Sequence, residues 1–393
     1  MTGLISFGHF MSHFYFMVLP PLYLTLQTEF DVSYTVLALP MALYALAAGV
    51  TQTPVGFMVD KLGARKLLIL GSGIQGLSIA AIGFTETFWQ LTLLYMVTGV
   101  ANTVFHPADY AILSGSISKK RLGRAFSIHL FSGNLAWAIV PVVMVGLWDW
   151  RTTFMVVGMV GFVFSLIVWA MSGSLREEVA DRAEAARESN HDSHSVRQGL
   201  GLFLSFPIMM CMLFYVMLTV GFTGIRSFSV VALNQLYGMS EILANTVLTG
   251  FLAGSAAGVL IGGLVADRYG PRIATAIGTL VSAGILLIWV GSYELPYTII
   301  LTALTLSGIL QGLLLPSRDL LIRAVTPQGS MGKVLGFLTT GMMLAAAAVQ
   351  PVFGWIMDTQ DPRWVFWLSA IFVAGALFCF AGASGATGEK QPA

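Results

Sequence analysis

Polar and ionisable side chains that lie inside long apolar runs are the residues of this sequence that could do chemistry. One run carries Asn102, His106 and Asp109, whose spacings of four and three place them on one face of a helix. A later run carries Gln311 and Arg318, seven apart on one face, and then Asp319. Charged groups are costly in lipid and are kept there mainly for substrates, ion pathways or gates. The pattern predicts a pathway for a solute or a proton.

Other polar side chains are expected nearer the middle of their runs. His13 is titratable, and an imidazole exchanges protons near neutral pH, so it fits either a proton carrier or a simple hydrogen bond to a carbonyl. Arg226 is instead expected near the periplasmic side, where it could bind an anionic substrate, help a periplasmic gate, or extend outward to lipid headgroups. The remaining candidates for substrate contact are Tyr44, Asn102, Asn134, Trp137, Tyr215 and Gln311.

The composition is that of a membrane protein. Of the 393 residues, 56% are hydrophobic and only 10% are charged, which is more apolar surface than one soluble core can use. The net charge of +1 argues against a nucleic-acid partner. Twelve apolar runs are long enough to be transmembrane helices: 3 to 27, 33 to 58, 67 to 84, 89 to 113, 123 to 147, 152 to 173, 204 to 234, 242 to 266, 273 to 291, 297 to 322, 332 to 357 and 364 to 383.

The gaps between the runs predict orientation and domains. Most of the 20 Lys and Arg residues fall in alternate gaps, which places both termini on the cytoplasmic side of a cell inner membrane. The first run has no basic leader and is expected to be a retained helix. We expect an N-terminal six-helix bundle over 1–173, a cytoplasmic linker over 174–199, a C-terminal six-helix bundle over 200–384 and a cytoplasmic tail over 385–393.

A short phrase occurs twice, each time in a polar gap, and indicates a duplicated bundle. Its members are Gly56, Asp60, Gly63 and Arg65 in the first copy, and Gly263, Asp267, Gly270 and Arg272 in the second. A small residue at Gly56 would let a neighbouring helix pack closely, and Gly63 would allow a tight turn. That turn would direct Arg65 toward carboxylates or helix ends.

This phrase resembles the loop signature of the major facilitator superfamily, and the resemblance covers essentially the whole chain. The fold it implies is an all-α membrane protein with twelve transmembrane helices in two pseudo-symmetric six-helix bundles. It also implies that the eight residues of the two phrases act as a conformational latch, the alternative being a plain topological anchor. The segment Phe105-His106-Pro107-Ala108-Asp109-Tyr110 is similar to transporters of the fosmidomycin resistance group.

The resemblance implies that helices 4 and 10 approach one another when the cytoplasmic side closes. We therefore expect His106, Asp109, Arg318 and Asp319 to act in a gate or in proton coupling. The alternative pairs Asp109 locally with Lys119 or Arg121, and Arg318 with Asp319.

The expected function is proton-coupled secondary active transport of an organic anion or an amphipathic drug by alternating access. Uptake by symport and export by antiport both fit, although Val140 stands where the antiporter signature has glycine before the proline. No nucleotide-binding loop or His-Glu-x-x-His motif occurs, so we expect no enzyme activity, no cofactor and no metal site. The expected partners are a small-molecule substrate, protons and the lipid bilayer, with the chain a monomer; a non-transporting sensor is the remaining alternative.

Overall fold

Helices make up the described structure. The computed structural model describes residues 1–177, 201–269, 273–327 and 330–385, and these ranges contain α-helices and short 3-10 helices but no strand. Lipid offers no water to unpaired backbone groups, so helices that satisfy their own hydrogen bonds are expected. In chain order the α-helices are α1 (Thr2–Phe16), α2 (Tyr23–Phe30), α3 (Tyr34–Leu37), α4 (Leu39–Leu62), α5 (Ala64–Ile82), α6 (Phe88–Asn102), α7 (Phe105–Ser116), α8 (Lys119–Gly146), α9 (Trp150–Ala170), α10 (Phe206–Tyr237), α11 (Glu241–Tyr269), α12 (Ile273–Ser292), α13 (Tyr297–Val325), α14 (Met331–Thr359) and α15 (Trp364–Gly385).

The first apolar run, predicted as one helix over residues 3 to 27, is broken. α1 ends at Phe16, a 3-10 helix covers Pro20–Leu22, and α2 follows. Proline lacks a backbone N–H and its ring crowds the preceding turn, so a regular helix does not continue through Pro20 and Pro21. With 15 residues, α1 rises only about 22 Å. Eleven helical stretches in the described ranges are therefore long and apolar enough to cross a membrane by themselves.

The fourth predicted run, over residues 89 to 113, consists of α6 and α7. The chain turns at Thr103 and Val104, where the Thr103 N–H and hydroxyl both donate to the Val100 carbonyl, at 3.2 and 2.7 Å. Pro107 has no N–H to offer the Thr103 carbonyl, so the helical ladder is interrupted there. The interruption sets the start of α7, the helix that carries His106 and Asp109.

The described chain forms two compact units. The first contains Met1–Leu22, Thr28–Asp31 and the described residues from Leu39 to 177. The second contains Tyr23–Gln27, Val32–Ala38 and the described residues from 201 onward. The predicted linker lies almost entirely outside the described residues, as does the predicted tail.

Two short stretches near the start of the chain pack within the second unit. The backbone N–H groups of Tyr34 and Thr35 donate to the Asp358 carboxylate, both at 2.8 Å, and the Thr35 hydroxyl donates to it at 2.6 Å. The Thr25 hydroxyl donates to the Glu241 carboxylate at 2.7 Å. Asp358 thus satisfies N–H groups at the start of α3, where a negative charge is also stabilised by the helix dipole.

Glycines allow α11 and α13 to approach closely in the second unit. A Cβ atom added at Gly258 would collide with the Ile309 carbonyl, and one added at Gly308 would collide with the Phe251 carbonyl. Further glycines with the same kind of backbone neighbour are Gly254, Gly262 and Gly312. Small residues at regular spacing are the usual means of close helix packing in membranes. The contact fixes the position of α13, which carries Gln311 and Arg318.

We expect Gly258→Ala to destabilise the protein by about 1–3 kcal/mol, because the two backbones must separate to admit a methyl group. Thermal unfolding of the purified protein, followed by circular dichroism, measures this as a lowered Tm. Gly278→Ala on α12 is the matched control, since an added Cβ there meets no described atom within 4 Å. An equal Tm for the two variants would contradict the close approach of α11 and α13.

Candidate functional site

Four histidines and one aspartate from three helices of the first unit meet in a group that we name the histidine cluster, in which His9, Asp109 and His129 are buried and the other two members are partly buried. Its members are His9 and His13 on α1, His106 and Asp109 on α7, and His129 on α8. The His9 ring stacks on His129 with centroids 3.9 Å apart, and it lies 4.4 Å from His13 and 5.3 Å from His106. The fold thus assembles residues that are more than a hundred positions apart in the chain.

Asp109 is the one carboxylate of the cluster, and it is fully buried. Its Oδ2 atom lies 3.9 Å from His9 Nδ1 and 3.8 Å from His129 Nε2. Both distances exceed a normal hydrogen bond. Neither carboxylate oxygen has a hydrogen-bond partner among the described residues. The cluster therefore contains two carboxylate oxygens that accept no hydrogen bond from the described protein.

Close approach of α1 and α8 brings His9 and His13 together with His129. A Cβ atom added at Gly133, one turn beyond His129, would lie 2.8 Å from His9 Nε2 and 3.0 Å from His13 Nδ1. Ser132 next to it donates its hydroxyl to the Ser6 carbonyl at 2.8 Å, which joins the same two helices. Glycine at position 133 is required because the imidazoles occupy the space of a side chain.

His129 was absent from the residues that the sequence analysis selected. It is an ionisable side chain inside an apolar run, the same property that drew attention to His106, and it is fully buried. His129, Gly133 and Trp137 also follow one another at spacings of four, so they share a helical face. That spacing was the available signal.

Other predicted residues lie around the cluster or along the same helices. Asn102 donates its amide to the Ser12 carbonyl at 3.0 Å, and the Trp137 ring lies 5.2 Å from His13. Tyr44 is buried against Tyr95. Asn134 donates to Leu130 in its own helix, at 3.1 Å, so in this structure its amide group supports α8.

A second polar group lies in the second unit, on α10 and α13. The Arg318 guanidinium lies over the Tyr215 ring, 4.6 Å from its centroid, and pairs with the Asp319 carboxylate at 2.8 Å. Arg226 is close enough to Arg318 for the two positive charges to act on each other. Tyr215 and Arg226 are eleven residues apart on α10, and so are Ser307 and Arg318 on α13; eleven residues bring a side chain back to the same face.

Helix α13 carries buried polar side chains in addition to Arg318. Gln311 is only 4% exposed, and its side-chain oxygen has no hydrogen-bond partner among the described residues; the same is true of the hydroxyls of Ser307 and Ser317. Buried polar atoms are normally satisfied. Together with the two arginines they could bind an oxygen-rich anion.

The first copy of the repeated phrase forms a tight, ion-paired turn in the first unit. Gly63 has φ of +95°, a conformation that favours glycine, and α5 begins directly after it. Glu177 accepts hydrogen bonds from the backbone N–H groups of Ala64 and Arg65, at 2.9 and 3.1 Å, and pairs with the Arg65 side chain. The expected direction of Arg65 toward a carboxylate is present, and its partner is Glu177.

The other members of the two phrases have no comparable contacts or lie outside the described residues. A Cβ atom added at Gly56 or Gly263 would meet no described heavy atom within 4 Å, so the explanation of Gly56 by close helix packing is wrong for this structure. Asp267 is exposed at the end of α11. The side chain of Asp60, together with Gly270 and Arg272, lies outside the described residues.

Glu177 gives the turn a dependence on pH. Burial acts to raise the pKa of its carboxyl, but hydrogen bonds from the Arg65 side chain and from the N–H groups of Arg65 and Ala64 outweigh burial, so the pKa lies below its usual range. A depressed carboxyl pKa adds stability above the unfolded-state pKa, and that stability is lost as pH falls through the folded-state pKa.

We therefore expect Glu177→Gln to lower the free energy of unfolding at pH 7 by about 1–2 kcal/mol, a modest value because the Arg65 side chain is 40% exposed. The Tm difference from wild type should shrink as pH is lowered from 7 toward 3. Glu86→Gln, at an exposed glutamate, is the control. A Tm difference that stays constant with pH would contradict the role of the carboxylate.

Comparisons with known proteins agree with this architecture. A family model described as Major Facilitator Superfamily matches residues 5–240 and 215–392. The uncharacterized MFS-type transporter YuxJ of Bacillus subtilis (strain 168) is 27% identical over 332 residues, which are 82% of this chain and 80% of that protein. The probable L-galactonate transporter of Escherichia coli (strain K12) is 26% identical over 254 residues, 62% of this chain. That alignment spans only 56% of the galactonate transporter.

The fold is also that of a solved transporter. A bacterial homolog of the human lysosomal transporter Spinster, in an inward-facing and occupied conformation, has a TM-score of 0.79 at 14% identity, covering 98% of this chain and 96% of that one. The predicted fold class and the prediction that the chain is not an enzyme are confirmed. The chain is a multi-pass membrane protein that belongs to the Major Facilitator Superfamily, the transporters of small solutes.

Proposed function

We propose that this protein moves a small organic anion across the cell inner membrane by alternating access, in symport or antiport with protons. The chain acts as a monomer with both termini in the cytoplasm. The arginine pair of the second unit carries this proposal. Arg226 and Arg318 are close enough for their like charges to act on each other, and both lie on membrane-spanning helices. An anion bound between the two guanidinium groups offsets their repulsion, and its attraction to both is strong because the membrane interior screens charges poorly.

The side chains beside the arginines fit an anion that also carries hydroxyl groups. Tyr215 lies under the Arg318 guanidinium and holds it in place, while Gln311 and Ser307 present polar atoms on the same face of α13. Guanidinium groups bind carboxylates and phosphates with two parallel hydrogen bonds. L-galactonate, which names one relative, is a sugar acid of this chemical class.

Proton coupling is assigned to the Arg318–Asp319 pair. In the described structure the Asp319 carboxylate pairs with Arg318 and lies close enough to Tyr215 for the two to act on each other; Arg323 follows one turn later on α13. While Asp319 is ionised it competes with a substrate carboxylate for Arg318. Protonation of Asp319 frees the guanidinium, so that a proton and an anion bind together, which is the requirement for symport.

The other predicted residues take supporting roles in this proposal. His13, Tyr44, Asn102, Asn134 and Trp137 are further proposed substrate contacts. The two repeated phrases, with Arg65 held by Glu177, form the latch that changes between states. We also propose a relationship to the fosmidomycin resistance group, and the support for it is the segment from Phe105 to Tyr110. The predicted gate role of His106 and Asp109 stays a prediction.

Removal of either arginine should strongly reduce the transport of anions. In proteoliposomes with an imposed pH gradient, we expect Arg318→Gln and Arg226→Gln to lower the initial rate of labelled galactonate or glycerol 3-phosphate uptake at least about tenfold, the loss of one charge-assisted hydrogen bond or more. Arg323→Gln, an exposed arginine on the same helix, should retain wild-type rates.

The same assay separates the alternatives. Equal flux of a cationic drug in wild type and in Arg318→Gln, without any anion flux, would contradict the anion site and favour drug export. Saturable binding without flux would favour a sensor. The direction of the gradient that accelerates uptake distinguishes symport from antiport.

Asp319→Asn should uncouple protons from the anion. We expect anion exchange at equal pH on both sides to continue, while accumulation driven by a pH gradient falls at least about tenfold, because the competing carboxylate is gone. A pH-sensitive dye inside the vesicles should record no proton movement in the variant. Asp361→Asn, at an exposed loop carboxylate, is the control. Unchanged proton movement in Asp319→Asn would remove this residue from the coupling step.

A further inference from the structure

We propose that the histidine cluster binds one divalent transition-metal ion, with His9 Nδ1, Asp109 Oδ2 and His129 Nε2 as ligands. One ligand atom of each of these residues lies within 4.8 Å of the other two. The three side chains come from α1, α7 and α8 of the same compact unit. Its ligands include neither arginine of the proposed substrate site, and the proposal does not depend on the proposed substrate.

The distances around Asp109 fit a shared cation better than hydrogen bonds. Oδ2 is 3.9 Å from His9 Nδ1 and 3.8 Å from His129 Nε2, both beyond hydrogen-bond range. Two ligands on a tetrahedral zinc ion, each about 2.1 Å from the metal, lie about 3.4 Å apart. The two separations from Asp109 Oδ2 exceed that value by about 0.4–0.5 Å. The stacked rings of His9 and His129 would turn to direct both nitrogens at one ion.

The burial and the charge of the site also favour a cation. The three side chains are at most 2% exposed, and both oxygens of Asp109 and both ring nitrogens of His129 have no hydrogen-bond partner among the described residues. In that part of the chain, the basic side chains within 4.0 Å of the Asp109 carboxylate are these two histidines. A carboxylate buried without a partner is expensive. A divalent ion would balance the carboxylate charge and would bind His9 Nδ1, Asp109 Oδ2 and His129 Nε2 at the same time.

The ligand types select the class of metal. Two imidazole nitrogens and one carboxylate oxygen suit zinc, cobalt, iron or manganese in the divalent state. Magnesium and calcium prefer all-oxygen sites, and cuprous ions prefer thiolates. His13 and His106 border the site, and His106 is the nearest candidate for a further ligand because it lies one turn before Asp109 on α7.

A sequence search for metal motifs does not find this site. The ligands lie at positions 9, 109 and 129 and share no short spacing, so they are brought together only by the packing of three helices. A bound ion would join these helices and raise the thermal stability of the first unit, by an amount that grows with the logarithm of the ion concentration above the dissociation constant.

Metal binding to the full-length protein tests the proposal without any transport measurement. The protein is purified in detergent with an affinity tag free of histidine, and in a background with His191→Ala and His194→Ala, because that i, i+3 pair could itself bind metal. After dialysis, we expect one Zn²⁺ per chain by elemental analysis, and visible d–d absorption when Co²⁺ replaces it.

Two ligand variants and one control identify the site. Asp109→Asn and His129→Gln should weaken Zn²⁺ binding by at least about a hundredfold, since loss of a ligand costs more than the 10–100-fold typical of an outer-shell partner. His13→Gln removes a histidine of the same cluster from the same helix as His9, and should change affinity by less than about threefold. Equal losses in all three, or unchanged binding in the two ligand variants, would overturn the assignment.

X-ray absorption of the zinc-loaded wild-type protein gives a second test that needs no variant to fold. The expected first shell contains nitrogen and oxygen only, with the outer scattering of two imidazoles. A sulfur shell would place the metal at Cys211 or Cys379 and contradict the proposal. Absence of stoichiometric binding, or weak binding of several ions per chain, would also overturn it.

Discussion

Close approach of helix backbones determines where the polar side chains of this protein lie. In the second unit, α11 and α13 touch through glycines such as Gly258 and Gly308, where no side chain would fit. In the first unit, Gly133 leaves room on α8 for the imidazoles of His9 and His13. Within lipid the hydrophobic effect does not hold helices together, so packing contacts of this kind do. Both polar groups lie beside such contacts.

The two units use their polar residues differently. The first contains four imidazoles and a fully buried carboxylate, which is a set of acceptors and weak bases. The polar group on α10 and α13 of the second unit contains Arg226 and Arg318 with one exposed carboxylate, Asp319, so this group is cationic. The internal repeat in the sequence therefore preserves the helical framework but not the chemistry, since Asp109 and Arg318 occupy corresponding positions of the duplication with opposite charge.

Much of this could be predicted from the sequence, and the rest depends on contacts between distant segments. Apolar run lengths gave the helices, and intramembrane polarity selected Asp109, His106 and Arg318. The break at Pro20 and Pro21 has a local chemical cause, but hydropathy and run length alone predict one helix there because the residues on both sides of the prolines are apolar. The pairing of Arg65 with Glu177 depends on how the chain returns after α9, about 110 residues later, and no local pattern contains that information.

The hydrogen bonds of the early segments have a consequence for dividing the chain. Tyr34 and Thr35 are bonded to Asp358, and Thr25 to Glu241, so residues encoded before the midpoint complete a unit encoded after it. A fragment that begins at the central linker would lack these residues and would leave the Asp358 and Glu241 carboxylates without their donors. The two sequence repeats are therefore not independent modules: gene fission between them would require both products in the same membrane.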